Sequence, residues 1–564
     1  MSKIHLGLVG LLTIVTGCAT PVSQSGAPVA DVVLRGGTIY DGSGQAPYVG
    51  DVAILGDRIA CVGQCPGPAR QEVDARGMAV APGFINMLSW ANESLIADGR
   101  GESDIRQGVT LEVMGEGDSM GPWTADMKSR AIKRQGDIKY PISWTTLGEY
   151  LQFMEAKGVS PNIASFVGAS TVRVHELGEN DVDPDPAQLE RMRGLVRAAM
   201  NEGAMGVGSS LIYAPDNFAE TPELIAIASE AGRCGGMYIS HMRDEGPKLI
   251  EAIDELIEIS QKSGAPAEIY HFKQSGRENW GKIDAAIARV EAARARGLKV
   301  TADMYTYPAS STGFDAAFPL WIQDGGLEAW VERLKDPAKR AKAFAEMHRP
   351  QASENSKLVI EEPDKVLLVG FKTDALKPLT GKSLGEVARA RGTSPEQTAA
   401  DLIVEDGTRI QVVYFGMSDA NVAREVALPW MSFGSDAASM APEGVFLKSS
   451  THPRAYGNVA RLLGKYVRDD QRLSLAEAVR RLAALPADNL QLVDRGHLKP
   501  GYFADIAVFD PATIADKATF AKPQQYAVGM RDVFVNGTAV IRDGEHTGAT
   551  PGRFVRGPGW KKCN

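Results

Sequence analysis

Met237-Tyr-Ile-Ser-His-Met-Arg243 and Ala267-Glu-Ile-Tyr-His-Phe-Lys273 share one plan: a short apolar run that ends on a histidine. Such runs read as strands, which places His241 and His271 at two strand carboxyl ends. The two lie 30 residues apart, about one strand–helix repeat, in a chain with only eight histidines among 564 residues. Neighbouring parallel strands present their carboxyl ends on one face. In barrels built from such repeats, that face carries the chemistry. Imidazoles converging there point to a metal ion, and a metal at a barrel mouth points to hydrolysis.

Working outward, the middle of the chain alternates helical stretches (222–233, 247–263, 283–295) with short apolar strands such as 299–302. That alternation predicts parallel βα units. Residues 312–406 break the rhythm with charged, helix-forming sequence, as expected of an insertion covering the mouth. Residues 31–81 and the C-terminal stretch have short alternating apolar runs separated by Gly and Asp turns, which read as hairpins. Two β-rich ends flanking a long middle predict that the termini meet in one small β-sandwich.

Hydrophobic residues at 44% and charged residues at 23% are ordinary for a soluble enzyme, and a net charge of −9 without a basic cluster argues against nucleic acid. At the N-terminus Lys3 precedes an apolar run from Leu6 to Val15, too short to span a bilayer and suited to a signal peptide. It ends Val15-Thr-Gly-Cys18, which resembles a bacterial lipoprotein box. Residues 1–17 are then a signal, Cys18 the lipidated residue and 18–30 a Ser-, Gly- and Pro-containing tether. This predicts a periplasmic lipoprotein of the cell envelope, anchored to the outer membrane and touching the membrane only through that lipid. Of the remaining cysteines, Cys61 and Cys65 are spaced either to pair in an oxidising compartment or to stand as two free thiols. Cys234 and Cys563 carry no readable signal.

Pro82-Gly-Phe-Ile-Asn, Gln107-Gly-Val-Thr, Ser240-His-Met-Arg, His271-Phe-Lys, Asp303-Met-Tyr-Thr-Tyr, Gly434-Ser-Asp, His452-Pro-Arg and Lys499-Pro-Gly-Tyr-Phe-Ala-Asp follow one another along the chain. In this order they resemble the D-aminoacylase (N-acyl-D-amino-acid deacylase) branch of the amidohydrolase superfamily. The resemblance implies an α/β fold: a metal-bearing (β/α)8 TIM barrel over 82–486, with a small β-sandwich from 31–81 and 487–564. It also implies hydrolysis of an amide beside a D-configured carbon, with metal-activated water as nucleophile.

The resemblance extends to individual residues, with one large departure. Amidohydrolases carry His-x-His after the first strand, where Leu88 and Trp90 stand here, and neither side chain offers a metal lone pair. One divalent ion rather than two is therefore expected, most naturally Zn2+. The branch's cysteine ligand after strand two is also missing from Val113-Met-Gly-Glu-Gly-Asp-Ser119. Glu116 stands beside its place and would complete a two-histidine, one-carboxylate set with His241 and His271, with Asp118 and Glu112 as alternatives. Asp436 matches the strand-eight aspartate, implied to move a proton from water to the departing nitrogen. Arg454 and Lys273 match positions that bind the free carboxylate of the small-molecule substrate, and Tyr305 or Tyr307 would add a hydroxyl.

Two other functions fit parts of this pattern. The same barrel and metal would serve another linear or cyclic amide if no carboxylate were required. Leu88 and Trp90 raise a catalytically silent, lipid-anchored binding protein. Retention of both later histidines, Asp436 and the two cations argues against such wholesale decay.

Overall fold

Strands buried on both faces organise the centre of the molecule, and their composition explains why. Gly206–Ser210, Met237–His241 and Val300–Met304 are buried at every position, the signature of parallel strands covered on both sides. In this computed structural model, which describes residues 1–3 and 29–563, they belong to a six-stranded parallel sheet. Its spatial order is Val167–Gly168, Gly206–Ser210, Met237–His241, Ala267–Ile269, Val300–Met304, Met431–Phe433. Cys18 and the signal-like segment fall outside the described residues.

A second parallel sheet contains Phe84–Asn86, Val109–Met114 and Asn162–Ser165. At one side the chain runs from Ser165 through Phe166, whose N–H donates to Met114 O at 2.8 Å, directly into Val167–Gly168. At the other side the Met87 N–H donates to Phe433 O at 3.3 Å, and Ser89 bridges Ala437 in parallel. The helices expected between strands are present as Thr221–Arg233, Leu249–Ser263 and Ile283–Ala295. Leu224, Ile227, Ala228 and Ala231 of the first form a buried stripe at helical spacing that packs toward the sheet.

The insertion has a core of its own. Gly326–Lys335, Pro337–Met347, Glu354–Glu361, Leu384–Arg391 and Pro395–Asp406 are helices. They pack with a small antiparallel sheet of Ser310–Gly313, Val366–Gly370 and Gln411–Tyr414. Phe314, Ile322, Trp330, Leu358 and Leu402 fill a cluster distinct from the main core. The segment that breaks the βα rhythm is thus a packed unit rather than a long loop.

The two ends of the chain share one nine-stranded sheet. The joint is Ala79–Pro82: it pairs in parallel with Ala30–Ile39 and antiparallel with Ile506–Phe509, so that Val80 faces both Ile39 and Val508. The last residues then leave this sheet. The Val555 N–H donates to Ile163 O at 2.9 Å, laying the tail along a central parallel strand. A disulfide from Cys563 to Cys234 fastens it at the end of the Thr221–Arg233 helix. Cys61 and Cys65 form a second disulfide.

Candidate metal centre and cavity

Among the described residues, Glu116, His241 and His271 form the one cluster whose ligand atoms approach closely enough to share an ion, all within 4.8 Å of one another. His241 Nδ1 lies 3.0 Å and His271 Nε2 2.9 Å from a single oxygen, Glu116 Oε1. The three are 4%, 5% and 2% exposed. Their residue types and convergence fit a divalent ion well, as a two-imidazole, one-carboxylate set. Of the acids left open by the sequence, Glu112 accepts a hydrogen bond from Asn86 at 3.0 Å, and Asp118 lines the cavity outside the cluster.

Backbone geometry aims these groups. Glu116 sits between Gly115 and Gly117, at φ +104° and +68°. A Cβ on Gly115 would lie 2.4 Å from Phe166 O, and one on Gly117 1.9 Å from Ser210 Oγ, so only glycine lets this loop thread so close to its neighbours. His271 and Asp436 themselves have φ of 34° and 49°, sparsely populated for residues with a Cβ. The His271 turn is held by its own N–H donating to Asp303 Oδ1 at 2.9 Å. Such strain concentrates where the surrounding fold fixes a side chain for function.

A layer of partners surrounds the triad. The Lys273 ammonium donates to Glu245 Oε1 at 2.6 Å and lies 2.7 Å from His271 Nδ1, which is itself 3.0 Å from the same Glu245 oxygen. The lysine expected on a substrate carboxylate is therefore already engaged in orienting His271. Trp90 Nε1 donates to Glu116 Oε2 at 3.1 Å and to Asp436 Oδ1 at 3.0 Å. Arg454 Nη2 lies 2.8 Å from Asp436 Oδ2, while Arg454 Nε and Nη1 are buried without a partner among the described residues. The Arg454 guanidinium stacks over the Tyr305 ring at 4.4 Å from its centroid, and the Tyr305 hydroxyl points to Met417 Sδ at 3.4 Å. His452 takes one tautomer: its Nδ1 accepts from the Arg454 N–H and its Nε2 donates to Ala309 O.

One expected residue stands elsewhere. The Tyr307 hydroxyl donates to Asp516 at 2.9 Å and does not line the cavity, so of the two tyrosines only Tyr305 belongs to the site, and through its ring. The sequence reading also missed Glu245, four residues beyond His241, and the polar role of Trp90. A carboxylate four residues past a strand-end histidine was the available signal for Glu245; none marked the indole.

Electrostatics follow from burial and convergence. Burial opposes ionisation of Glu116, but the two facing imidazoles outweigh it and hold its carboxyl well below the usual range. For His271, burial and Lys273 oppose the charged form, yet Glu245 and Glu116 prevail and push its pKa up to about 10. Burial raises Asp436, with Arg454 pulling the other way. The whole set opens into a cavity of about 710 Å³ walled by central strand ends and by the insertion, including Asp315, Asn355 and Lys372.

Parallel strands bearing histidines and carboxylates at their carboxyl ends define an α/β protein of the amidohydrolase class. A family model described as "Amidohydrolase family" matches residues 376–541. D-aminoacylase of Alcaligenes xylosoxydans xylosoxydans is 32% identical over 540 residues, covering 95% of this chain and 99% of its own length. N-acyl-D-glutamate deacylase of the same organism is 30% identical, covering 93% and 96%. Among solved structures, N-acyl-D-glutamate deacylase from Bordetella bronchiseptica, complexed with zinc and a phosphonate mimic of the tetrahedral intermediate, aligns with a TM-score of 0.78. It is 27% identical and covers 94% of this chain and 100% of that one. A D-aminoacylase, described by one-metal activation and second-metal attenuation of a binuclear centre, aligns at 0.77 with 30% identity, covering 93% and 100%. The chain belongs to the D-aminoacylase family, the N-acyl-D-amino-acid deacylases of the amidohydrolase superfamily.

A His271 proton must leave before its nitrogen can ligate an ion, and its pKa of about 10 means that proton is present at neutral pH. Apparent Zn2+ affinity of the purified protein should accordingly rise with pH, by up to ~tenfold per unit for each proton displaced. Competition with a chelator at pH 6, 7 and 8 measures this. An affinity flat across that range would contradict the protonated resting state.

Proposed function

We propose that this chain is a metal-dependent deacylase of N-acyl-D-amino acids, holding one divalent ion, most naturally zinc, at Glu116, His241 and His271. One observation carries the reading: a buried ligand triad shares its cavity with an arginine whose Nε and Nη1 face no partner among the described residues. Buried charged donors are costly to leave unmatched. Two unmatched N–H-bearing nitrogens on a buried guanidinium leave donors for an anion, and an N-acyl amino acid supplies a carboxylate. The zinc-bound deacylase relative with its phosphonate inhibitor supports both the ion and the acyl-transfer chemistry.

The ion, when bound, supplies Lewis acidity at neutral pH, of the kind that lowers a water pKa from ~15.7 to near 7. This chain's residues do the rest. Arg454 grips the carboxylate, and its stacking on Tyr305 and its backbone bond to His452 fix its direction. Asp436 is made more basic than a surface aspartate by burial. It takes a proton from the attacking water and delivers it to the departing nitrogen. Lys273 and Glu245 hold His271 in place.

Trp90 explains a one-ion site. Its N–H reaches both Glu116 and Asp436, so a neutral donor stands between the two carboxylates where the charge of a second cation would otherwise be called for. We infer too that the central parallel strands, eight when Asn162–Ser165 and Val167–Gly168 are counted as one strand running through Phe166, close into a (β/α)8 barrel, for which the Phe166 link and the Met87–Phe433 bond give the two joins. The nine-stranded sheet of both chain ends is read as the accompanying β-sandwich. An envelope lipoprotein anchored through Cys18 is the favoured location, in keeping with two disulfides.

The first test compares N-acetyl-D- with N-acetyl-L-amino acids. Hydrolysis of the D series alone is expected, and Asp436→Asn should lower kcat by ~10²–10⁴-fold with zinc content unchanged. Near-native turnover in that variant would move the proton-transfer role to another carboxylate.

Arg454→Ala should cut kcat/KM for an N-acyl-D-amino acid by ~10²-fold while barely affecting its methyl ester. Equal losses on both would make Arg454 a support of the fold. Wild-type preference for the ester would favour another amide as substrate.

Elemental analysis should find one zinc per wild-type chain and a second only in the Leu88→His/Trp90→His double variant. Two stoichiometric ions in the wild type would refute the role given to Trp90.

A further inference from the structure

A second cavity of about 640 Å³ adjoins the first, sharing the walls Trp90, Asp118, Ser170, Ala214 and Arg409. Its character is different. Trp123, Met127, Tyr140, Leu327 and Trp330 line it, drawn from the segment around the Ala125–Arg134 helix and from the insertion helix Gly326–Lys335. The three arginines on its wall each face a carboxylate, Arg409 lying 3.1 Å from Asp315, while Asp118 stands at the border with the first cavity. Arg134 donates to Glu179 at 2.6 Å and also pairs with Glu328, and Arg130 lies 3.0 Å from Glu179. Glu93 accepts from the Tyr140 hydroxyl at 2.6 Å. Among the described residues the wall therefore offers aromatic and aliphatic surface, with some hydroxyl and amide groups, and no unpaired cation to hold an anionic ligand.

Its position relative to the chemistry is equally informative. His241, His271, Tyr305 and Arg454 line the first cavity only. Trp90, which donates to Glu116 and Asp436, lines both cavities and so stands where the two meet. In an N-acyl amino acid the groups run in fixed order: carboxylate, α-carbon, nitrogen, carbonyl carbon, acyl chain. With the carboxylate on Arg454 and the carbonyl at the triad, the acyl chain must continue away from Arg454, and this cavity offers the adjoining space.

We propose that the second cavity is an acyl subsite, and that the substrates of this protein are D-amino acids carrying bulky, uncharged apolar acyl groups, medium-chain alkanoyl or arylacetyl, rather than acetyl. The inference rests on the deacylase reading above and names which acyl class that site takes. A methylene moved from water into apolar surroundings is worth ~fourfold in affinity. Several methylenes beyond acetyl thus amount to a large selectivity when realised in the transition state.

The test measures kcat/KM for N-acetyl-, N-octanoyl- and N-phenylacetyl derivatives of one D-amino acid on the zinc-loaded full chain. The two bulky substrates should exceed the acetyl one by ~30-fold or more. Ala131→Phe and Leu327→Trp narrow the cavity from its two separate walls. Each should lower the octanoyl-to-acetyl ratio at least ~tenfold, with acetyl turnover and zinc content reporting an intact site. If one variant loses zinc, the other decides. Preference for acetyl in the wild type, or a ratio that the zinc-retaining variant leaves unmoved, overturns the acyl subsite while leaving the deacylase reading standing. Turnover of none of the three overturns the deacylase reading and the subsite with it.

Discussion

Two imidazoles share one oxygen of a buried carboxylate, and much of the site is arranged around that fact. Glu116 Oε1 receives His241 and His271 from adjacent strands, while Glu116 Oε2 receives Trp90 from the junction of the first and last central strands. Removing three polar groups from water is tolerable only if each is matched. The matching propagates outward: Glu245 and Lys273 behind His271, Asp303 beneath its backbone, Arg454 behind Asp436. The glycines flanking Glu116 and the left-handed backbone at His271 and Asp436 are what it takes to bring these groups to one point.

The charge balance of this network separates structure from recognition. Lys273 and Arg454 are both buried cations in one cavity, yet they differ in what they have left to give. Lys273 is engaged by Glu245, the same carboxylate that faces His271 Nδ1. Arg454 pairs with Asp436 through one nitrogen and keeps two others without an acceptor among the described residues. Replacing a metal-ligating pair by Leu88 and Trp90 fits the same accounting. A neutral indole N–H between two carboxylates requires no second ion, and Leu88 packs in a buried apolar cluster with Ile85, Leu111 and Val113.

The sequence announced those parts of this design that are local and left out those that are not. His241 and His271 were legible because a strand-end histidine depends on five or six consecutive residues, and the three βα helices followed from periodicity within single segments. Asp436 and Arg454 came through motifs of similar length. Lys273 was visible as a cation, but its partner Glu245 sits in a different loop and only the fold sets their separation. Tyr307 was misplaced for a like reason, since its hydroxyl finds Asp516 across 209 positions. The Cys234–Cys563 pairing spans 329 residues and has no spacing to betray it, whereas Cys61 and Cys65 lie four apart.

The sheet shared by both chain ends has a kinetic consequence. Ala79–Pro82 gains its antiparallel partner Ile506–Phe509 only after more than four hundred intervening residues exist, as the pairing of Val80 with Val508 requires. Until then one edge of this strand is bare, and bare edges invite intermolecular pairing. Contacts of such sequence separation close late and slowly, because their loop entropy is lost before they give anything back. The insertion, with an apolar cluster of its own, gains its contacts from one shorter stretch of chain. The N-terminal strands pair locally with one another, so what must wait for the rest of the chain is this one edge, and with it the joining of the two ends of the sheet.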